Sequence, residues 1–115
     1  MARPQKRRCI CSVPRNSEFQ PQDCPWTDSV NLTYDEYETI RILDYEHQTQ
    51  EQCAQKMDIS RPTVTRIYDE ARRKIADVLV HGKRLTIGGG DVFVCPRMRP
   101  ECANERHCCH KEQLC

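Results

Sequence analysis

Two groups of side chains in this 115-residue chain have the types and spacing to do chemistry. The first runs from Ser60 to Lys74, SRPTVTRIYDEARRK. At about a hundred degrees per residue, Pro62, Arg66, Asp69 and Arg73 share one face of a helix, flanked by Thr63, Thr65 and Arg72. Arg66 can donate two hydrogen bonds to a guanine edge, and Thr63 and Thr65 can meet a thymine methyl. Arg61, Arg72, Arg73 and Lys74 suit phosphates, and Ser60 suits a helix cap that also reaches a phosphate. The bland alternative is an amphipathic helix with a solvated charged face.

The second group is sulfur and imidazole. The chain has 9 cysteines, an odd number, and five of them close the sequence: Cys95, Cys102, Cys108, Cys109 and Cys115, with His107 and His110 among them. In a reducing compartment a disulfide framework is disfavoured. So polar a tail cannot bury a core of its own, and thiolates on a metal would supply folding energy that packing cannot. Cys95, Cys102, Cys108 and Cys115 are the first choice of ligands, with Cys109, His107 and His110 as substitutes. The gaps are wider than the usual paired zinc spacing, so zinc and an iron–sulfur cluster both stay open. A thiol switch, with pKa values lowered by Arg106, His107 and Lys111, is a third reading, and a tail with no specific role a fourth. Cys53 reads as a small buried hydrophobe.

The elements that must position the first group are legible in start and stop signals. Thr49 with Gln52 forms a capping box that opens a short helix, on which Cys53, Ala54 and Met57 line one face. Ser60 caps the next helix, with Pro62 in its first turn. On that helix Val64, Ile67, Tyr68, Ala71, Ile75 and Val78 form the apolar stripe. Ile59 plugs the turn, and Ala54 is small enough for two helices to cross there. The pattern is that of a helix-turn-helix, whose second helix enters the major groove of DNA. Ahead of it, Thr33 with Glu36 opens another helix, where Tyr34, Tyr37, Ile40, Ile42, Leu43 and Tyr45 go most of the way round, so it is expected to be covered on more than one side. His47 falls in a link.

The run S-R-P-T-V-T-R-I-x-x-x-A-R-x-K-I is similar to the fourth conserved region of sigma-70-type transcription factors, which binds promoter DNA through a helix-turn-helix. From Met1 to about Ile87, the opening MARPQKRR, LTYDEYETIRILDYE, SRPTVTRI and RKIADVLVHGKRLTI together resemble a little-characterised prokaryotic family of predicted DNA-binding proteins. The chain departs from both patterns at Asp58, where such turns usually carry glycine. Aspartate tolerates left-handed backbone better than most residues.

Charge is unevenly spread beneath a net of +1: residues 1–15 carry +5, residues 28–58 carry −6 and residues 59–84 carry +4. That asymmetry suits a DNA-facing surface with the acidic part turned away. The basic start, Arg3 included, is the kind of arm that lies in a minor groove, or else a solvated tail. Hydrophobic residues make up 37% and aromatics 6%, so the core is small, and a homodimer or a metal would supplement it. Arg8 to Val13 alternates as a short strand. Residues 14–28 read as a loop anchored by Phe19 and Trp26. Lys83–Ile87, three glycines and Asp91–Val94 read as a hairpin.

The expected organisation is a basic arm and loop over 1–28, a helix-turn-helix domain over 29–87 and a cysteine-rich extension over 88–115. The fold class is mainly α. With no secretory run and no stretch long enough to span a membrane, the expected location is the cytoplasm. There is no phosphate loop around Gly88-Gly89-Gly90 and no nucleophile motif, so no enzyme activity is expected. The function expected is sequence-specific binding of double-stranded DNA in transcriptional regulation, with a metal- or redox-responsive tail. Two alternatives are an adaptor that meets RNA polymerase and a metal or redox protein whose helices are scaffold.

Overall fold

A single long helix, α3 (Arg61–His81), contributes to two cores of the fold. The computed structural model describes residues 7–24 and 27–94. Along α3 the buried side chains are Val64, Ile67 and Ala71, with Tyr68, Ile75 and Val78 half-buried beside them. This is the stripe expected from a 3.6-residue period. Ser60 Oγ accepts from the Thr63 backbone N–H at 3.3 Å at the start of α3, and Gly82 closes it in a left-handed conformation at φ +63°.

Two shorter helices precede it. Helix α1 (Tyr34–Ile40) begins at Thr33, whose N–H donates to Glu36 Oε1 at 2.9 Å. It runs into a π-helical turn, Arg41–Tyr45, in which the Glu46 N–H reaches back to the Arg41 carbonyl at 2.9 Å. Helix α2 (Gln50–Met57) begins at Thr49 with both halves of a capping box, Thr49 N–H to Gln52 Oε1 at 2.9 Å and Gln52 N–H to Thr49 Oγ1 at 3.1 Å. It ends on Asp58, which is left-handed at φ +60° as the turn requires. The Ile59 N–H then donates to the Ala54 carbonyl at 3.0 Å and draws the chain into α3. Between α2, the π turn and α3 lies a core of Ile42, Cys53, Ala54, Met57 and Val64. Leu43 and Ile59 pack on its edge. Cys53 is wholly buried there, as expected of a small hydrophobe, and its thiol lies 3.6 Å from Met57 Sδ.

Among the described residues, five short strands complete the fold. Strand β1 (Arg8–Ile10) pairs in parallel with β5 (Val92–Val94). Strand β4 (Arg84–Ile87) lies between β2 (Glu18–Phe19), antiparallel to it, and β3 (Ser29–Leu32), parallel to it. Among the described residues strand content is about 19% against about 48% helix, so the fold is mixed α/β rather than the mainly α class expected. A second core joins Leu32 of β3, Ala71 of α3 and Ile87 of β4, with Tyr34, Tyr37, Ile40 and Leu85 around it.

The expected hairpin is not formed. After β4 the chain leaves one sheet for the other, and the glycine run makes that change of partner. The Gly88 N–H donates to the Leu32 carbonyl at 3.0 Å, and the Gly89 carbonyl accepts from the Tyr34 N–H at 3.0 Å. Gly90, at φ +97°, passes so close to the start of α1 that a Cβ there would lie 3.0 Å from Asp35 Oδ1 and 3.2 Å from Thr33 Cβ. Gly90→Ala is therefore expected to lower unfolding free energy by about 2 kcal/mol, through backbone strain together with the clash. Urea unfolding measures it, and a loss below about 0.5 kcal/mol would contradict the close approach.

A further expectation is corrected. Phe19 is 53% exposed and anchors nothing, because β2 is an edge strand with both residues exposed. The first helix and its π turn are covered on more than one side, as expected: Ile42 and Leu43 pack in one core and Tyr34, Tyr37 and Ile40 in the other, while Tyr45 is 54% exposed. Trp26 lies outside the described residues.

Candidate functional site

The outer face of α3 and the start of α2 form one surface. Thr65 Oγ1 donates to Gln50 Oε1, so the first residue of α2 is tied to the second turn of α3. Ser60 and Thr63 hydroxyls lie 2.8 Å apart at the mouth of α3. Along the helix Arg61, Pro62, Thr65, Arg66, Asp69, Arg72 and Arg73 are exposed, and Thr63 is half-buried. The face therefore displays the groups expected of it.

These groups differ in how they are engaged. Arg61 and Arg66 carry no side-chain hydrogen bond or ion pair among the described residues. Arg72 lies over the Tyr68 ring, 5.1 Å from its centroid. Tyr68 is fixed in turn by donating its hydroxyl to Asp44 Oδ1 at 2.7 Å, and that hydrogen bond is the main reason its pKa is raised. Arg73 holds Glu70 with two hydrogen bonds, Nε to Oε1 at 3.3 Å and Nη2 to Oε2 at 2.5 Å. That contact lowers the Glu70 pKa and raises that of Arg73. The pair is solvent-exposed, and such pairs are worth little, so exchange of Glu70 for another anion on Arg73 costs little.

Lys74 stands apart. Its ammonium donates to the Asn31 carbonyl at 2.9 Å and to Glu36 Oε1 at 2.7 Å, and its side chain is only 19% exposed. Lys74 sits one helical turn beyond Ala71, toward α1 and β3, where the fold uses its charge. The phosphate contact expected of it would have to compete with these two partners.

The basic start is partly accounted for. Arg8 is buried, with Nε 3.5 Å from Asp35 Oδ2. Arg7 donates to the Val92 carbonyl at 2.7 Å and lies near Asp91 and over Phe93. Both are spent on β5 and α1. Arg3 lies outside the described residues.

The acidic segment is not simply an outward surface either. Asp35, Glu36 and Glu38 are buried on α1, each beside a cation: Arg8, Lys74 and Arg41 respectively. Glu38 is the deepest, at 2% exposure, and also accepts the Cys11 backbone N–H at 2.8 Å. Spacing alone gave no sign of this inward row of acids. The tie from Gln50 to Thr65 was missed too, although Gln50 heads a helix that a capping box had already placed.

The expected metal ligands Cys95, Cys102, Cys108 and Cys115, with Cys109, His107 and His110, lie outside the described residues. Among the described residues, Cys9, Cys11 and Cys53 are buried and Cys24 is half-buried. No cluster of three or more His, Cys, Asp or Glu side chains there is placed to hold a metal. Among the described residues no helix is long and apolar enough to cross a membrane.

The sequence profile of a family described as "Protein of unknown function DUF134" matches residues 1–94. The chain is similar to a UPF0251 protein of Desulfitobacterium hafniense, 47% identical over 104 residues that cover 89% of this chain and 83% of that protein. A UPF0251 protein of Halothermothrix orenii is 47% identical over 93 residues, 79% of this chain and 69% of that protein. One from Caldanaerobacter subterraneus is 45% identical over 96 residues, 82% and 81% respectively. No solved structure matches the chain.

Proposed function

The chain belongs to the DUF134 family, and from its own geometry we propose that it is a cytoplasmic DNA-binding protein that reads duplex sequence with a helix-turn-helix made of α2 and α3. The observation that carries the proposal is the division of labour along α3. Its first turns, joined to α2 by the left-handed Asp58, present Arg61 and Arg66 exposed and without side-chain partners among the described residues. Its later cations are stacked or paired. In a helix-turn-helix the N-terminal residues of the second helix meet base edges, and flanking groups meet phosphates. Free guanidinium groups at that end are what such docking needs, since an arginine already paired must give up its partner first.

Within this reading Arg66, Thr63 and Thr65 face bases. Arg61, Arg72 and Arg73 face phosphates, and Ser60 holds the helix start. The similarity of SRPTVTRI to the sigma-70 fourth region points the same way, toward transcriptional regulation. The cysteine-rich tail, as a zinc or iron–sulfur site or a thiol switch, would add a response to metal or oxidant.

The test is selection of bound sequences from a random duplex pool, using the full chain under anaerobic conditions. Enrichment of a motif is the expected result, and its symmetry reports whether two copies bind. A folded protein that enriches nothing overturns DNA reading and leaves the helix pair to a protein partner such as RNA polymerase.

A further inference from the structure

We infer that Asp69 is a specificity-determining residue of this face, selecting cytosine at the base pair beside the one read by Arg66; the inference rests on the DNA-binding reading above. Asp69 is exposed and follows Arg66 by three positions on the same side of α3. Two other acids on α3 are neutralised. Glu70 is held by Arg73, and Asp77 by His81 at 2.7 Å and Lys83 at 3.1 Å. Asp69 alone among these acids has no side-chain hydrogen bond or ion pair among the described residues.

A bare carboxylate on a surface that approaches phosphates is repelled by them. Two donors in the major groove reverse that sign, the N6 amine of adenine and the N4 amine of cytosine. Adenine sets its amine beside the N7 acceptor, which repels a carboxylate, whereas cytosine offers the donor alone, so a carboxylate favours cytosine. Three residues advance about 4.5 Å along a helix, close to the roughly 3.4 Å rise between base pairs. A guanidinium at Arg66 and a carboxylate at Asp69 therefore reach neighbouring pairs, one seeking acceptors and the other a donor.

The experiment is duplex selection with wild type and Asp69→Asn side by side, with circular dichroism to show that both are folded. Asparagine presents a donor and an acceptor that match adenine. The expected result is a wild-type motif with cytosine at one position, which Asp69→Asn shifts toward adenine. Relative binding at that pair changes on the order of tenfold and the neighbouring pairs keep their preference. If Asp69→Asn tightens binding to all sequences alike and leaves the motif unchanged, Asp69 is only a repelling charge; the inference fails while DNA reading stands. If wild type enriches no motif, DNA reading fails and this inference with it.

Discussion

Glu38→Ala is expected to destabilise the fold by about 3–5 kcal/mol, more than any other single change on α1. Glu38 takes two hydrogen bonds from Arg41, Nε to Oε1 at 3.0 Å and Nη2 to Oε2 at 2.8 Å. The carboxylate is 3% exposed and the guanidinium 11%. Forming so buried a pair contributes little net, because desolvation offsets attraction. Breaking it is another matter: alanine removes these two hydrogen bonds from a guanidinium held inside the protein. The Cys11 N–H loses its acceptor as well, at about 1 kcal/mol or more. Glu38→Gln keeps an acceptor for that N–H and loses the charge, so it should cost distinctly less. Urea unfolding of the two variants separates these contributions. An alanine variant within about 1 kcal/mol of wild type would show that Glu38 is not part of the core.

This row of buried acids shows where sequence reasoning stops. Helix starts were legible because their signals are local. Thr33 with Glu36, Thr49 with Gln52, and Ser60 each bond to a backbone group three residues away. The left-handed Asp58 was legible for the same reason, since a chain that must turn between two amphipathic helices leaves few residues free to do it. The apolar stripe of α3 followed from period alone.

The sheets were not legible. Strands β1 and β5 meet across more than eighty residues, and β4 finds its partners in β2 and β3 rather than in the next strand. Alternation in a short segment tells which side faces inward but not which strand lies beside it. A glycine run between two such segments fits a hairpin and a change of sheet equally well. The acids misled by the same gap. Asp35 and Glu38 carry no local sign of burial because the groups that satisfy them, Arg8 and the Cys11 N–H, come from strand β1 and its end. A charge seen without its partner looks like surface.

The same consideration decides what two basic residues on α3 should do when removed. Arg66→Ala is expected to leave stability unchanged, since its side chain is exposed and touches no partner among the described residues. It should cost about 1–3 kcal/mol of discrimination at one base pair, the worth of a bidentate contact with guanine. Lys74→Ala should do the reverse. Its ammonium joins α3 to the β3 carbonyl of Asn31 and to Glu36 at the start of α1. Its loss should lower unfolding free energy by about 1–3 kcal/mol, below the figure for Glu38 because the pair is less buried. The motif selected by folded Lys74→Ala protein should be that of wild type. Selection and urea unfolding on both variants give four readings, and the expected pattern is a cross: specificity lost without stability, stability lost without specificity. An Arg66→Ala variant that unfolds early, or a Lys74→Ala variant that is stable yet binds all sequences weakly, would exchange their roles and move the proposed DNA-facing surface toward the other side of α3.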